Sequence, residues 1–378
     1  MSEATPLGGK VLSKSFFVLL AIAAIASIFL IMRFIFGIGS VTNMNDGYPW
    51  GIWIAYDVVV GTALACGGYS MALLVYVANK GEYHPLVRPA LLASMLGYTM
   101  AGVSVFIDLG RYWQMYNIFL PKFANIHSVM FEVALCIGLY VVVLWIEFAP
   151  AFLEKFRTEK MLKKLNRVIF VFIALGVLLP TMHQSSLGTM ILMAGHKLSP
   201  LWWTSFLPLL FLISAITMGY AMVIFESTLS SIGFKRPLET DVLSKISGII
   251  PWLIGLYMVI RFEHINHGGY WNLVFAGSFK SILFLLENAF YLIPFLILVN
   301  PHNRKKPRLL FIAAMSLLLG GAFYRFNAYL VAFDPGTGWQ YFPSVSEILI
   351  TFGIVAVEIM GYLLIVKKLP VFPKLEHA

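Results

Sequence analysis

The chain contains ten stretches of about twenty apolar residues, and this repeated length restricts its possible folds more than any other feature. A helix needs about 20 apolar residues to cross a hydrocarbon core that is ~30 Å thick. Only 12% of the residues are charged, which is too few to cover the surface of a soluble domain of this size. The sequence therefore predicts an all-α, polytopic integral membrane protein. The expected spans are residues 16–38, 50–78, 89–109, 126–148, 167–194, 204–227, 246–262, 278–299, 309–331 and 345–366.

The positions of the basic residues predict the orientation of these spans. The formal net charge is +9, but most of the 27 Lys and Arg residues lie in short loops on one side of the predicted bundle. Short loops rich in Lys and Arg stay on the cytoplasmic side of a membrane. Both termini are therefore expected to be cytoplasmic, and the basic excess indicates topology rather than binding to nucleic acid.

No linker or low-complexity tract divides the chain, so one polytopic domain is expected over residues 1–378. When each predicted span is compared with the span four places later in the chain, Arg111 matches Arg261 and Glu132 matches Glu287 in depth. This correspondence suggests a parallel internal repeat. We predict two four-helix bundles, at about 50–194 and about 204–331. The flanking helices are 16–38 and 345–366.

The outward loops are rich in aromatic residues, Gly and Pro. Such loops can simply end helices at the membrane interface, or they can receive a docked partner, and both interpretations stay open. The aromatic residues are Tyr48, Trp50, Trp53, Tyr112, Trp113, Tyr116, Trp202, Trp203, Tyr270, Trp271, Trp339 and Tyr341.

Metal ligands are scarce in this sequence. Both cysteines, Cys66 and Cys136, fall within apolar spans and suit small buried residues. Two cysteines cannot supply an iron–sulfur or zinc site that needs four thiolate ligands, so no protein-bound metal is predicted.

Polar and ionisable side chains recur at one depth, in the outward half of the predicted bundle. A charge in hydrocarbon costs several kcal/mol unless it is paired or hydrated, so such groups are candidates for a functional site. We expect them to line one ligand pocket beneath the outer surface. They are Asp57, Asp108, Arg111, Glu132, His183, Gln184 and Arg325.

Each of these groups also has a purely structural interpretation. Asp108 and Arg111 are spaced i,i+3 and can form an interfacial ion pair. Asp57 and Arg325 can neutralise each other, and Glu132 can remain a neutral buried carboxyl. His183 and Gln184 follow Pro180 and can be a satisfied polar break in a helix.

A second set of side chains leads inward: Tyr98, Glu147, Glu226 and Glu358. The three carboxyls are explained as interfacial groups near basic loops, and Tyr98 as a packed aromatic. Together with Glu132, the set also suits a proton relay between the outward pocket and the cytoplasm.

Two other classes of membrane protein remain as alternatives. A b-type haem cytochrome needs two facing imidazoles, and only His127 and His183 approach the core, which limits the chain to one haem near the outer face. A secondary transporter is suggested by the matched charges of the possible repeat.

Several motifs resemble the NrfD/PsrC (polysulfide reductase membrane subunit) family, and within it the HybB-type membrane subunits of periplasm-facing uptake nickel–iron hydrogenases. The resemblance runs from about Leu7 to Pro373. It is carried by Gly47-Tyr-Pro-Trp-Gly-Ile-Trp53, Tyr83-His-Pro-Leu-Val-Arg-Pro-Ala90, Asp108-Leu-Gly-Arg-Tyr-Trp113, Phe131-Glu132 and Leu179-Pro-Thr-Met-His-Gln-Ser-Ser186.

The resemblance implies a quinone-reactive subunit of a bacterial inner membrane that itself binds neither haem nor an iron–sulfur cluster. Menaquinone is the expected substrate. The implied partners are a ferredoxin-like iron–sulfur subunit and the hydrogenase small and large subunits, all on the outer face. Glu132 and Tyr98 are then expected to transfer protons. The expected quinone-binding residues are His183, Asp57, Asp108, Arg111, Gln184 and Arg325.

Overall fold

Ten helices are long and apolar enough to cross a membrane in the computed structural model, which describes residues 4–156 and 158–373. The prediction of an all-α, multi-pass membrane protein is thereby confirmed. We number these spans α1 to α10. They are Lys14–Phe36, Trp53–Val77, Gly81–Asp108, Val129–Lys155, Glu159–Leu192, Leu207–Phe234, Thr240–His267, Phe279–Leu298, Pro307–Val331 and Val345–Lys368.

Several spans combine shorter helical segments. α3 opens with a 3-10 turn at Gly81–Tyr83, α7 joins Thr240–Ile246 to Ile250–His267, and α9 ends in a π-helix at Asn327–Val331. The connecting loops hold further short helices, at Ile38–Ser40, Tyr112–Phe119, Gly195–Lys197, Trp271–Val274 and Pro301–Arg304.

The helix ends follow from local sequence. Ser344 caps α10 by accepting a hydrogen bond from the Glu347 backbone, while the Glu347 side chain accepts from the Ser344 backbone. This reciprocal pairing satisfies two backbone donors at the start of the helix. α5 begins at Glu159, eight residues before the predicted span. The prediction began late because the first two turns of the helix are rich in charged residues, which lower the hydropathy there. The 34 residues of α5 extend about 50 Å, longer than the hydrocarbon core.

The spans pack around α2. In the most apolar part of this helix, 83% of the residues are buried within the protein. α2 contacts α3, α6 and α9, while α4 packs on α5 and α8 packs on α9. α1 packs mainly on α10, and α10 in turn lies against α3. The grouping of these helices into two bundles stays a prediction.

The first and last described residues, 4–5 and 372–373, lie together at one end of the helix bundle, which we call the terminal face. Ala4–Thr5 pairs antiparallel with Phe372–Pro373, and the Leu7 amide donates to the Val366 carbonyl over 3.1 Å. The cytoplasmic orientation of the terminal face remains a prediction. We call the opposite end of the bundle the far face.

Candidate functional site

α2 is broken near the middle of the membrane. It runs as a π-helix at Trp53–Val58 and an α-helix at Val59–Leu64, turns at Ala65–Cys66, and resumes at Gly67–Ala72 before a second π-helix at Leu73–Val77. Irregular backbone at membrane depth is tolerated only where protein or a cavity surrounds it. Single π-helical turns are frequent at functional sites. The break therefore draws attention to the side chains around it.

A fully buried polar cluster surrounds this break. The Tyr98 hydroxyl of α3 lies 3.0 Å from His183 Nε2 of α5 and 3.4 Å from Cys66 Sγ. The Gln184 side-chain amide donates to the Tyr98 hydroxyl over 3.2 Å and to Thr62 Oγ1 over 3.1 Å. All five side chains have no exposed surface. We call these five residues the tyrosine–histidine cluster.

The hydrogen bonds of His183 fix the roles of its two nitrogens. Its Nδ1 lies 3.0 Å from the Leu179 carbonyl oxygen, which can only accept, so Nδ1 carries the proton. In a neutral ring Nε2 is then an acceptor, and it faces the Tyr98 hydroxyl and, at 3.0 Å, the Gln184 amide nitrogen. Tyr98 accordingly donates its proton toward His183. The pair is arranged for proton transfer between oxygen and nitrogen.

Gln184 also offers an unused acceptor. Its Oε1 is buried and has no hydrogen-bond partner within residues 4–156 and 158–373. Buried polar atoms nearly always have a partner, so such an atom calls for an explanation. A ligand bearing a hydroxyl group would supply the missing donor.

Glu132 lies one helical turn from the cluster on the side of the far face. It occupies the first turn of α4, is half-buried, and accepts a 2.7 Å hydrogen bond from Ser186 Oγ. Ser186 follows His183 by three residues on α5, so the two share one helix face. Glu132 thus lies between the far face and the tyrosine–histidine cluster.

Asp57 is placed away from the cluster. Its Oδ2 accepts hydrogen bonds from Ser104 of α3 at 3.4 Å and Thr351 of α10 at 3.2 Å. The considered pairing with Arg325 is not formed. Arg325 instead donates to the Val59 carbonyl at 3.0 Å, and to the carbonyl of Phe211, where it bridges α2, α6 and α9.

The ion pair considered for Asp108 and Arg111 is also absent from the described residues. Arg111 is exposed in the loop that follows α3. The end of α3 is capped by Arg33 of α1, which donates to the Ile107 carbonyl over 2.6 Å and to the Leu109 carbonyl. A cation at a helix C-terminus is favourable because it faces unpaired carbonyl groups.

The charges matched by the possible repeat behave differently in the two halves. Arg261 and Glu287 form a buried ion pair at 2.5 Å, and Glu287 also accepts hydrogen bonds from Trp202 at 3.0 Å and Asn327 at 2.8 Å. Neither Arg111 nor Glu132 makes such a pair within the described residues. The second half of the chain therefore holds a buried structural ion pair at this depth.

The structure thus gathers Tyr98, His183 and Gln184, with Glu132 one turn away. It places Asp57, Asp108, Arg111 and Arg325 outside this group. The assignment of any of them to quinone binding or proton transfer stays a prediction. Sequence reasoning missed Thr62 and the contact of Cys66, although the spacing Thr62-x-x-x-Cys66 puts both on one helix face.

Comparison with known proteins gives consistent matches over nearly the whole chain. The family model described as "Polysulphide reductase, NrfD" matches residues 40–332. The chain is 44% identical over 375 residues to "Probable Ni/Fe-hydrogenase 2 b-type cytochrome subunit" of Escherichia coli (strain K12), covering 98% of this chain and 96% of that protein. It is 28% identical over 378 residues to "Menaquinone reductase, integral membrane subunit" of Nitratidesulfovibrio vulgaris, covering 89% of this chain and 86% of that protein.

The prediction that the chain binds no haem is contradicted by these comparisons, because the Escherichia coli relative is named a b-type cytochrome subunit. The expectation of no haem rested on the family resemblance, whereas the need for two facing imidazoles left room for one haem near the outer face. Haem iron is also held by one histidine with a different second ligand, so a count of histidines does not exclude haem.

A site with two histidine ligands is nevertheless not formed by the described side chains. His183 is the one fully buried histidine among them, and both of its ring nitrogens already have hydrogen-bond partners. His127, the other histidine considered, is exposed. The described residues therefore do not fit a haem held by two imidazoles.

Proposed function

The chain belongs to the polysulphide reductase NrfD family, and from this premise we propose that it is the quinone-reactive membrane subunit of a bacterial respiratory hydrogenase complex. The names of its relatives support both halves of this proposal, since one is a hydrogenase subunit and another a menaquinone reductase subunit. The observation that carries it is the tyrosine–histidine cluster at the break of α2. The proposed location is the bacterial inner membrane, with the terminal face in the cytoplasm.

The overall reaction balances without a further reactant. Hydrogen is oxidised at the nickel–iron subunits to two protons and two electrons. The electrons pass through an iron–sulfur subunit docked on the far face, and menaquinone takes up two electrons and two protons in the membrane. This chain contributes the quinone site and the protons, and the nickel–iron and iron–sulfur centres belong to its partners.

The cluster has the chemistry that quinone reduction needs. Each carbonyl oxygen of the quinone must gain a proton, and Tyr98 and His183 form a donor and acceptor 3.0 Å apart. A positioned acid or base contributes typically 10²–10⁴-fold to such a reaction. The free Oε1 of Gln184 can accept from the quinol hydroxyl once it has formed.

The approach of the quinone is proposed from the lipid on the far-face side of α4 and α5. Glu132 is half-buried there, and Met130, two residues before it on α4, is 66% exposed. A quinone ring entering at this level meets Glu132 first and the tyrosine–histidine cluster one turn deeper. Glu132 would then transfer protons at the mouth of the site.

A line of protonatable groups leads from the terminal face toward Tyr98. Glu226 of α6 accepts hydrogen bonds from Ser230 at 2.8 Å and from Tyr362 of α10. Glu358 lies one turn from Tyr362 on the same face of α10, and its carboxyl packs against Gly97, the residue that precedes Tyr98. We propose that cytoplasmic protons reach the cluster along this line.

The proposal is tested with the intact complex purified from membranes. Hydrogen-dependent reduction of a soluble menaquinone analogue is compared with hydrogen-dependent reduction of a dye that accepts electrons directly from the hydrogenase. Removal of this chain should abolish the first activity and preserve the second. Unchanged quinone reduction without the chain, or purification of the chain without any iron–sulfur subunit, would contradict the assignment.

A further inference from the structure

A second site lies at the terminal face, far from the cluster. A groove of about 310 Å³ opens between the end of α6 and the start of α9, and its polar lining includes Arg236, Arg308 and Ser231. Its apolar lining includes Ile232 and Phe311. The volume lies at the lower end of the range of ~300–1,000 Å³ that is typical of ligand sites.

Positive charge is concentrated along one wall of this groove. Arg308 is exposed and makes no hydrogen bond or ion pair within the described part of the chain. Arg236 is held in place, because it donates to the Pro373 carbonyl over 2.7 Å and lies 5.0 Å from the centre of the Phe372 ring. Burial raises the pKa of the nearby Glu239 carboxyl, which lines a neighbouring cavity instead.

The start of α9 adds to this positive potential. The α-helical part of α9 runs for 20 residues from Pro307, and the residue before it, Lys306, provides no side-chain cap. The first backbone amides of such a helix are unpaired and carry a partial positive charge, which favours an anion. Phosphate groups commonly bind at this position.

The other wall of the groove is apolar and faces the lipid. Ile232 is 71% exposed at the end of α6, and Ile312 is 49% exposed in the second turn of α9. Phe311 stacks on Phe225, with ring centres 5.6 Å apart, and this contact closes the floor between the two helices. A ligand that fits both walls carries an anionic head and hydrocarbon chains.

We propose that this groove binds an anionic phospholipid of the leaflet at the terminal face. The phosphate lies between Arg308, Arg236 and the start of α9, and the acyl chains follow the exposed apolar surfaces of α6 and α9. Basic pockets between transmembrane helices bind anionic head groups in this manner. The site is independent of the quinone proposal, because none of its residues belongs to the cluster or to the proton line.

The test is native mass spectrometry of the full-length chain in its membrane complex, titrated with phosphatidylglycerol or with phosphatidylcholine. The wild-type protein should retain one phosphatidylglycerol in preference to phosphatidylcholine. Arg308→Gln should weaken that binding about fivefold, and the double substitution with Arg236→Gln about 25-fold, from the typical contribution of one basic side chain near an anionic lipid. Lys163→Gln, an exposed basic residue of α5 outside the groove, should leave it unchanged.

Four outcomes would overturn the proposal. Equal binding of the two lipids would remove the role of charge, and equal weakening by Lys163→Gln would indicate a general surface effect. Inorganic phosphate at the same concentration should not displace the lipid, and full displacement would show that the groove recognises a free anion. A chain ending at Pro373 should bind the lipid as the full chain does, and a large gain in affinity would assign the groove to the last five residues.

Discussion

Replacing Tyr98 by phenylalanine removes a single oxygen atom from the centre of the tyrosine–histidine cluster and keeps the aromatic ring. The change deletes the contacts to His183 at 3.0 Å, Gln184 at 3.2 Å and Cys66 at 3.4 Å. Hydrogen bonds between transmembrane helices contribute on average ~0.6 kcal/mol each, so the three together are worth roughly 2 kcal/mol of stability. The complex should therefore still assemble.

The effect on quinone reduction should be larger than the effect on stability. If Tyr98 delivers a proton to the quinone, its loss removes a factor of about 10²–10⁴ in rate. We expect turnover with the menaquinone analogue to fall at least ~100-fold, while hydrogen-dependent dye reduction and the amount of purified complex change little.

Tyr140→Phe provides a matched control. The Tyr140 ring packs edge-on against Tyr98, with centres 4.6 Å apart, and it is only 1% exposed. Its hydroxyl is not part of the hydrogen-bonded cluster, so the control loses the same atom from the same environment and should keep its rate within about twofold. Equal losses in the two variants, or a Tyr98→Phe enzyme with more than half of the normal turnover, would refute the proton-transfer role.

Three further changes give distinct expectations. Glu132→Gln should lower quinone reduction by about 100-fold without loss of assembly, as measured by the ratio of quinone to dye activity, because an amide cannot pass a proton. Glu287→Gln should leave the buried charge of Arg261 uncompensated, at a cost of about 3–5 kcal/mol, so the complex should melt at a lower temperature; an unchanged melting point would contradict this. Gly219→Val should disrupt the contact of α6 with the break of α2 and reduce the yield of folded protein, whereas Gly102→Ala, which meets no atom within 4 Å, should not.

Hydropathy alone was sufficient to predict the number and approximate bounds of the spans. The cost of burying polar groups in lipid applies to every residue of a span, so each span appears in the sequence as a long apolar stretch. The break in α2 was not predicted. Its residues around Ala65 and Cys66 are as apolar as those of a regular helix, and the turn depends on contacts with α6 such as the close approach of Gly219.

The candidate site was predicted in part, because depth along a helix can be counted from sequence but its rotation about the axis cannot. Asp57 and Arg325 share a depth, yet Asp57 faces α3 and α10 while Arg325 faces α2 and α6. The hydroxyl partner Thr351 was also missed, since a lone Thr in an apolar span gives no pattern to recognise.

The packing of α1 against α10 has a consequence for biogenesis. Because synthesis proceeds from the N-terminus, α1 enters the membrane well before its main partner, α10, has been synthesised. Until α10 has been synthesised, α1 is surrounded by lipid. The strand at Ala4–Thr5 also lacks its partner, because Phe372–Pro373 follows α10 in the chain. Termination of synthesis before α10 would therefore leave both α1 and the strand at Ala4–Thr5 without their packing partners.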